Sequence, residues 1–177
     1  GHLSGHMDGV GFSDKFWKGT DPKPFLLEFK TYSTKRFIKL QKLGVAGADP
    51  KYYVQMQMYS GYEELSGSLF CAVCKEDDAL YFEWVPNKQA VFDANLTRAE
   101  TIISTRDPGE IPRLSDTPSW FECKYCNFRE ICHKQGKSTP ACRSCYYGIP
   151  GPDASWSCEK NREFGKVCKE YKDIARV

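Results

Sequence analysis

The sequence predicts an α/β domain with a central mixed β-sheet flanked by helices, followed by a small cysteine-rich module. Short apolar runs alternate with amphipathic stretches of helical period, a pattern typical of sheet-and-helix domains. Seven of the nine cysteines lie between Cys123 and Cys168, in a polar segment. A proline-rich stretch separates the two parts. We therefore expect a core over residues 1–106, a linker over 107–118 and a metal-binding module over 119–177.

Bulk composition excludes several classes of protein. A chain of 177 residues can bury one core and carry a small appended module. With 41% hydrophobic and 27% charged residues, it has the composition of a folded globular protein. No apolar run approaches the roughly 18 residues that cross a bilayer, and the N-terminus does not resemble a signal peptide. We expect an intracellular, cytoplasmic protein with no membrane partner.

Positive charge is concentrated in two places. From Ser119 onward the chain has eleven Lys and Arg against seven Asp and Glu, although the whole chain carries only +2. Residues 30–48 contain five basic residues and no acid. A basic run is usually a solvated helix face, but beside a metal site it can also hold a phosphate backbone. The candidate DNA-binding residues are Lys35, Arg36, Lys39 and Lys42.

The apolar run over residues 25–31 predicts a β-strand that carries an acid and a lysine. Glu28 and Lys30 are two residues apart and leave the same face, while Phe29 is expected to enter the core. Asp8 lies in a short segment that favours the neighbouring strand of a hairpin. Two carboxylates can hold Mg²⁺ or Mn²⁺, and a lysine can orient or deprotonate an attacking water. Taken alone, Glu-x-Lys is more often an ordinary solvated pair.

The remaining elements are predicted from caps and periodicity. Ser33 or Thr34 caps a helix that Gly44 ends, and Asp49 with Pro50 opens a second helix reaching about Tyr62. Two apolar runs, at 68–75 and 80–85, predict a hairpin, and a helix over 88–104 is expected to close the core. The predicted apolar positions are Phe37, Ile38, Leu40 and Leu43 in the first helix and Val91, Leu96, Ala99, Ile102 and Ile103 in the last.

Two pairs of residues in this part of the chain need separate mention. Gln55 and Tyr59 are four apart on the second helix and therefore share a face. Cys71 and Cys74 are three positions apart on a strand in which side chains alternate, so they point to opposite faces. We interpret both cysteines as structural, because a free cysteine commonly behaves as a small buried hydrophobe.

Three motifs in order resemble the RecB-type branch of the PD-(D/E)XK nucleases, which includes lambda-type phage exonucleases and the nuclease of CRISPR adaptation. They are Gly-His-x-Asp-Gly at 5–9, Glu-Phe-Lys at 28–30, and Gln-x-x-x-Tyr from Gln55 to Tyr59. Together with the C-x-x-C-x5-C-His tail, the chain is especially similar to exonuclease-like proteins of tailed bacteriophages. The resemblance also implies a helical region with a further histidine before Asp8, so we expect this chain to be cut from a longer one.

The resemblance implies roles for individual residues. Asp8, Glu28 and the backbone carbonyl of Phe29 would ligate Mg²⁺ or Mn²⁺, and Lys30 would be the catalytic lysine. Gln55 would position Lys30 or the DNA backbone, and Tyr59 would support the helix or contact a phosphate. For Gln55 and Tyr59 the alternative is an ordinary polar pair on a half-buried helix. The resemblance further implies DNA as substrate, a single-strand annealing protein as partner and, for a phage protein, a bacterial host cell as location.

The cysteines of the tail form two sets of four candidate ligands. Without a secretory signal, clustered C-x-x-C pairs favour metal over disulfides. The second set has the composition of a four-cysteine zinc ribbon, in which zinc supplies folding energy where little core exists. This set consists of Cys142, Cys145, Cys158 and Cys168.

For the first set, zinc and an iron-sulfur cluster remain as alternatives. It contains Cys123, Cys126, Cys132 and His133, and the adjacent Cys132 and His133 would strain one tetrahedral centre because neighbouring side chains diverge. In some RecB-type nucleases a comparable three-cysteine unit joins an upstream cysteine to bind a [4Fe-4S] cluster. We favour zinc with His133 over an iron-sulfur cluster.

The sequence therefore predicts a Mg²⁺- or Mn²⁺-dependent DNA nuclease, an exonuclease by resemblance, acting in phage recombination, repair or processing. Two other classes remain as alternatives. One is a non-catalytic DNA-binding or interaction module whose zinc-ribbon tail does the binding. The other is a cysteine-based redox protein, which requires a metal-free thiol pair of low pKa.

Overall fold

The structure, a computed structural model, describes residues 2–13, 24–134 and 136–176. The chain divides into two compact units. The N-terminal unit is Gly5–Arg98, and the C-terminal unit consists of Ala99–Val177 with Gly1–Ser4. No helix formed by the described residues is long and apolar enough to cross a membrane.

The N-terminal unit is built on a mixed four-stranded sheet in the order β1-β2-β3-β4. The strands are β1 (Gly9–Gly11), β2 (Phe25–Tyr32), β3 (Gly67–Cys74) and β4 (Leu80–Pro86). β1 and β2 are antiparallel, β2 and β3 are parallel, and β3 and β4 form the predicted antiparallel hairpin. The predicted α/β class with a mixed central sheet flanked by helices is confirmed.

Two helices cover one face of this sheet. They are α1 (Thr34–Ala48) and α2 (Pro50–Tyr62), joined by Asp49. Between them and the strands lies the hydrophobic core, whose buried members are Leu26, Tyr32, Phe37, Leu40, Val45, Met56, Leu65, Phe70, Ala72, Cys74 and Val85. The even-numbered residues of β2 point towards the helices, so Glu28 and Lys30 share that side with Leu26 and Tyr32.

Odd-numbered residues of β2 point away from the helices, so the prediction that Phe29 enters the core is wrong. Its side chain is 54% exposed and lies on the opposite face of the sheet, with Cys71 and Phe82. The prediction was wrong because residues 25–27 are apolar on both faces, so the pattern did not reveal which face the helices cover. Cys71 and Cys74 are both buried and lie on opposite faces, as predicted.

Helix α1 is interrupted at Gly44, the residue predicted to end it. Gly44 has φ 64° and ψ 173°, outside the helical region, and a second short helical stretch follows this kink to Ala48. The Glu83 carboxylate accepts hydrogen bonds from the Val45 N–H and the Tyr81 hydroxyl, each at 2.7 Å, and so satisfies a donor released by the kink. Because the kink resets the helical phase, Val45 is buried. The predicted core positions Ile38 and Leu43 are exposed.

Helix α3 (Gln89–Ser104) occupies the predicted position but does not bury the predicted side chains. Its only buried residue among those described is Phe92, whose ring meets Tyr62 edge-to-face at 5.2 Å. Gly61 makes this contact possible, since a Cβ there would overlap the Phe92 ring. None of the five predicted apolar positions of this helix is buried, and Ile102 is exposed.

Beyond the end of α3, the described residues of the C-terminal unit form only short elements. They are α4 (Phe121–Lys124), α5 (Arg129–Lys134) and a small antiparallel hairpin of β5 (Gly148–Pro150) and β6 (Trp156–Cys158). Single 3₁₀ turns lie at Pro108–Glu110, Cys142–Ser144, Pro152–Ala154 and Ile174–Arg176. Among the residues that the structure describes, none in this unit is buried.

Candidate active site and metal centres

Strand pairing brings Asp8 to Glu28. In the β1–β2 register Gly9 faces Leu27 and Val10 faces Leu26, so the residue before β1 lies beside residues 28 and 29. The Asp8 carboxylate accepts a hydrogen bond of 2.8 Å from the Phe29 N–H through Oδ2. Two acids twenty positions apart are therefore held at one point of the sheet, as the sequence predicted.

The Glu28 carboxylate is buried, with 1% of the side chain exposed. Its Oε1 forms an ion pair with the Lys30 ammonium. Apart from that ammonium, neither oxygen has a hydrogen-bond partner among the described residues. Burial raises the pKa of Glu28, and the hydrogen bond and charge of Lys30 offset only part of that rise.

The Lys30 ammonium lies where three oxygens converge. It pairs with Glu28 Oε1, lies 3.6 Å from Asp8 Oδ2 and donates to the Phe29 carbonyl oxygen at 3.1 Å. Desolvation alone would lower the pKa of Lys30, but the hydrogen bond and charge of Glu28, with the charge of Asp8, raise it above its usual value. These three oxygens belong to the residues that the resemblance implies as metal ligands.

The donor set suits a hard cation. Mg²⁺ prefers oxygen ligands, and it is commonly held by one or two carboxylates with waters and substrate phosphates completing the shell. Glu28 offers buried oxygens that lack other partners, which is the situation a bound cation would resolve. In the described part of the chain, however, no three His, Cys, Asp or Glu side chains are already gathered to hold an ion. Asp8, Glu28 and the Phe29 carbonyl would thus form an incomplete shell that solvent and substrate fill.

Gln55 and Tyr59 share a face of α2, as predicted. The Gln55 side-chain amide donates to the Tyr59 hydroxyl at 3.2 Å. The Tyr59 ring packs against Gly5, where a Cβ would overlap the hydroxyl. No hydrogen bond among the described residues joins either side chain to Lys30. Their contacts therefore support the N-terminal segment that leads to Asp8.

Tyr52 is a residue of the site that the sequence reasoning missed. The Lys30 ammonium lies 4.9 Å from the centroid of its ring. Such a cation–π contact stabilises the charged lysine, more so when the group is partly desolvated. The signal was present in the sequence, since Tyr52 precedes Gln55 by three positions and lies on the same side of α2.

The predicted basic residues of α1 are all exposed. Two of them are already engaged: Arg36 pairs with Asp49 and stacks over the Tyr32 ring at 4.9 Å, and Lys39 donates to the Ala48 carbonyl at 3.1 Å. Lys35, Lys39 and Lys42 are spaced by four and three residues, so they lie along one face of the helix.

The first cysteine set lines a single cavity of about 100 Å³. Cys123, Cys126, Cys132 and His133 all border it. Thus α5 brings the adjacent Cys132 and His133 to the same space, although we expected neighbouring side chains to diverge. His133 Nε2 is buried and has no hydrogen-bond partner among the described residues. A bound metal ion would give that nitrogen a partner, and zinc with His133 stays a prediction for this set.

The second set lines a much smaller cavity of about 20 Å³. Cys142, Cys145, Cys158 and Cys168 all border it. The Gly165 N–H donates to Cys142 Sγ at 3.2 Å, in the way that backbone donors support metal-bound thiolates. All nine cysteines of the chain have free thiols. In neither set are the described side chains already at coordinating distance from a common point.

Comparisons with known proteins add little. No protein-family model and no curated protein matches the chain. The crystal structure of SSO0001 is similar over 66% of this chain and 47% of that protein, with 17% identity and a TM-score of 0.39. The chain thus spans about half the length of that protein. A likeness at this level supports no inference about fold or function.

Proposed function

We propose that this protein is a Mg²⁺- or Mn²⁺-dependent deoxyribonuclease with a PD-(D/E)XK core of the RecB and lambda-exonuclease type. The observation that carries the proposal is the convergence of Asp8 Oδ2, Glu28 Oε1 and the Phe29 carbonyl oxygen on the Lys30 ammonium. Two acids and an amine, gathered at the junction of paired strands, are the parts that metal-assisted phosphodiester hydrolysis requires.

In this reaction a water oxygen forms a bond to phosphorus while one bridging P–O ester bond breaks. The attacking water gives up a proton to solvent, and the leaving ester oxygen takes one from solvent to become a hydroxyl. A cation held by Asp8, Glu28 and the Phe29 carbonyl would act as a Lewis acid and lower the pKa of the attacking water. Lys30 contributes a positive charge beside the reacting phosphate, where negative charge accumulates. Asp8 Oδ2 is oriented by the Phe29 N–H, so one strand positions both carboxylates.

DNA binding is assigned to the exposed face of α1. Lys35 and Lys42 lie on this face without a described ion pair, and Lys39 lies between them. Neutralising backbone phosphates makes binding strongly dependent on salt. The exonucleolytic mode, the role in phage recombination and a single-strand annealing partner rest on the sequence resemblance.

The test is cleavage of end-labelled linear DNA and of closed circular DNA with Mg²⁺, Mn²⁺ or EDTA. We expect cation-dependent cleavage, which Asp8→Asn and Glu28→Gln reduce by roughly 100-fold or more, since the metal supplies several kcal/mol of transition-state stabilisation. Glu63→Gln, an exposed acid in the same unit, is the matched control and should cleave normally. Cleavage by Glu28→Gln at the rate of the unmodified chain would reject the proposal.

A DNA-binding module without catalysis is the second candidate. The observation that favours it is the absence, among the described residues, of three side-chain ligands gathered around one point. Mobility-shift assays run beside the cleavage assays separate the two. Binding that is equal in EDTA and Mg²⁺, without cleavage in either, would favour the binding module.

A further inference from the structure

The C-terminal unit lacks the packing that usually stabilises a folded unit. None of its described residues is buried, whereas the N-terminal unit has a contiguous core. Its described ion pairs are exposed; they are Arg106–Glu159, Lys134–Glu130, Arg162–Glu170 and Lys166–Glu163. Exposed pairs contribute about 0–1 kcal/mol each, so they cannot replace a hydrophobic core. Some other interaction must hold the short elements of this unit in place.

Four cysteines lie where such an interaction can act. They come from separate pieces of chain: Cys142 and Cys145 from one turn, Cys158 from the end of β6, and Cys168 from the loop that follows. All four border the same cavity of about 20 Å³. A space of about 10–15 Å³ already holds one water molecule, so this cavity has room for one ion.

The local backbone supports a pair of thiolates in the turn. The Cys145 N–H bonds to the Cys142 carbonyl oxygen at 3.3 Å, and the Gly148 N–H bonds to the Cys145 carbonyl oxygen at 2.9 Å. Gly148 has to be glycine, because a Cβ would lie 2.6 Å from the Cys142 carbonyl oxygen. The Gly165 N–H then donates directly to Cys142 Sγ. The turn thus presents two sulfurs to the cavity, and the Gly165 N–H offsets charge on one of them.

We propose that Cys142, Cys145, Cys158 and Cys168 hold one Zn²⁺ as a closed tetrathiolate site, and that this ion folds the C-terminal unit. Zinc favours four sulfur ligands in a tetrahedron, and a site with four protein ligands has no open position for catalysis. Because the described sulfurs are not yet gathered at coordinating distance, binding draws three segments inward. Zinc binding and folding of the unit are therefore one coupled equilibrium.

The test uses the full chain purified in the presence of zinc. Zinc per chain is measured by mass spectrometry, Co²⁺ replacement is followed by its visible absorption, and folding of the unit by limited proteolysis. We expect Cys145→Ser and Cys168→Ser each to lose one equivalent of zinc and to expose residues 99–176 to protease. Cys71→Ser, in the sheet of the N-terminal unit, is the matched control and should lose no zinc.

A conservative variant separates loss of a ligand from general damage. Cys168 is exposed and histidine is also a common zinc ligand, so Cys168→His should keep the zinc and shift the Co²⁺ spectrum, whereas Cys168→Ser loses it. At free zinc about 1,000 times its dissociation constant, linkage raises the folded-to-unfolded ratio about 1,000-fold. Two results would overturn the proposal. One is that residues 99–176 still resist protease after a chelator has removed the zinc, and the other is full zinc content in both serine variants. The same measurements on Glu28→Gln, which the nuclease hypothesis predicts to be inactive, keep the two proposals separate.

Discussion

Neutralising Glu28 and neutralising Lys30 should change the free energy of unfolding by unequal amounts. Glu28→Gln leaves Lys30 with Asp8 at 3.6 Å, the Phe29 carbonyl at 3.1 Å and 20% exposure to water, so the ammonium stays satisfied. We expect a change of about 1 kcal/mol or less in the free energy of unfolding. Lys30→Met leaves a carboxylate that is 1% exposed and has no other described partner.

Removing one partner of a buried ion pair costs about 3–5 kcal/mol. Lys30 is partly exposed, so solvent screens part of its interaction, and we expect Lys30→Met to cost about 2–4 kcal/mol. With a slope near 2 kcal/mol per molar urea, the midpoint should fall by about 1–2 M. The assay is urea unfolding followed by circular dichroism in EDTA.

Added Mn²⁺ provides the decisive comparison. A cation held by the two carboxylates supplies the positive charge that Lys30→Met removes, so Mn²⁺ should restore part of the lost stability in that variant. It should have little effect on the double variant Glu28→Gln/Lys30→Met. Equal losses for Glu28→Gln and Lys30→Met, or no response of Lys30→Met to Mn²⁺, would refute the reasoning.

Three further predictions concern other parts of the chain. Gly44→Ala should lower the free energy of unfolding by about 1–3 kcal/mol, because its φ and ψ lie in a region that only glycine adopts readily and its Cβ would lie 3.0 Å from Glu83 Oε1. Gly47→Ala in the same helix is the control, and a loss as large as that of Gly44→Ala would contradict the argument. Burial, with the hydrogen bond to Glu83, raises the pKa of Tyr81 to about 12, above its unfolded value of 10.0. The contribution of this raised pKa to stability is therefore present below pH 10 and is lost as the pH rises towards 12. In Tyr81→Phe, the free energy of unfolding, measured by urea unfolding, should fall less steeply between pH 10 and pH 12. His133→Ala should remove one zinc per chain by mass spectrometry, whereas iron with visible charge-transfer absorption that survives the substitution would favour a [4Fe-4S] cluster.

Much of the N-terminal unit follows from local sequence rules. The β3–β4 hairpin and the start of α2 at Pro50 were predicted correctly, because turn residues and caps act over a few positions. The meeting of Asp8 with Glu28 was also predicted, although it depends on the pairing of two strands. That prediction needed the order of the motifs, since Glu-x-Lys alone does not distinguish a site from a solvated pair.

The errors share one physical cause. Alternation along β2 fixes which residues share a face, but only the packing of α1 and α2 decides that this face is the even-numbered one. For that reason Phe29 was assigned to the core and is exposed. Tyr52 was missed for the same reason: its contact with Lys30 depends on how α2 packs across β2. The helical stretch that resumes after Gly44 was not predicted, because nothing nearby in sequence indicated that Glu83 would satisfy the Val45 N–H.

The shortage of buried side chains in the C-terminal unit has a calorimetric consequence. The heat capacity of unfolding arises mainly from newly hydrated apolar surface, at about 0.45 cal/mol/K per Å². A unit that hides little such surface should melt with a small heat-capacity increment, giving a broad, nearly flat stability curve with little cold sensitivity. The folded fraction of this unit would then depend more strongly on the free zinc concentration and the pH than on temperature.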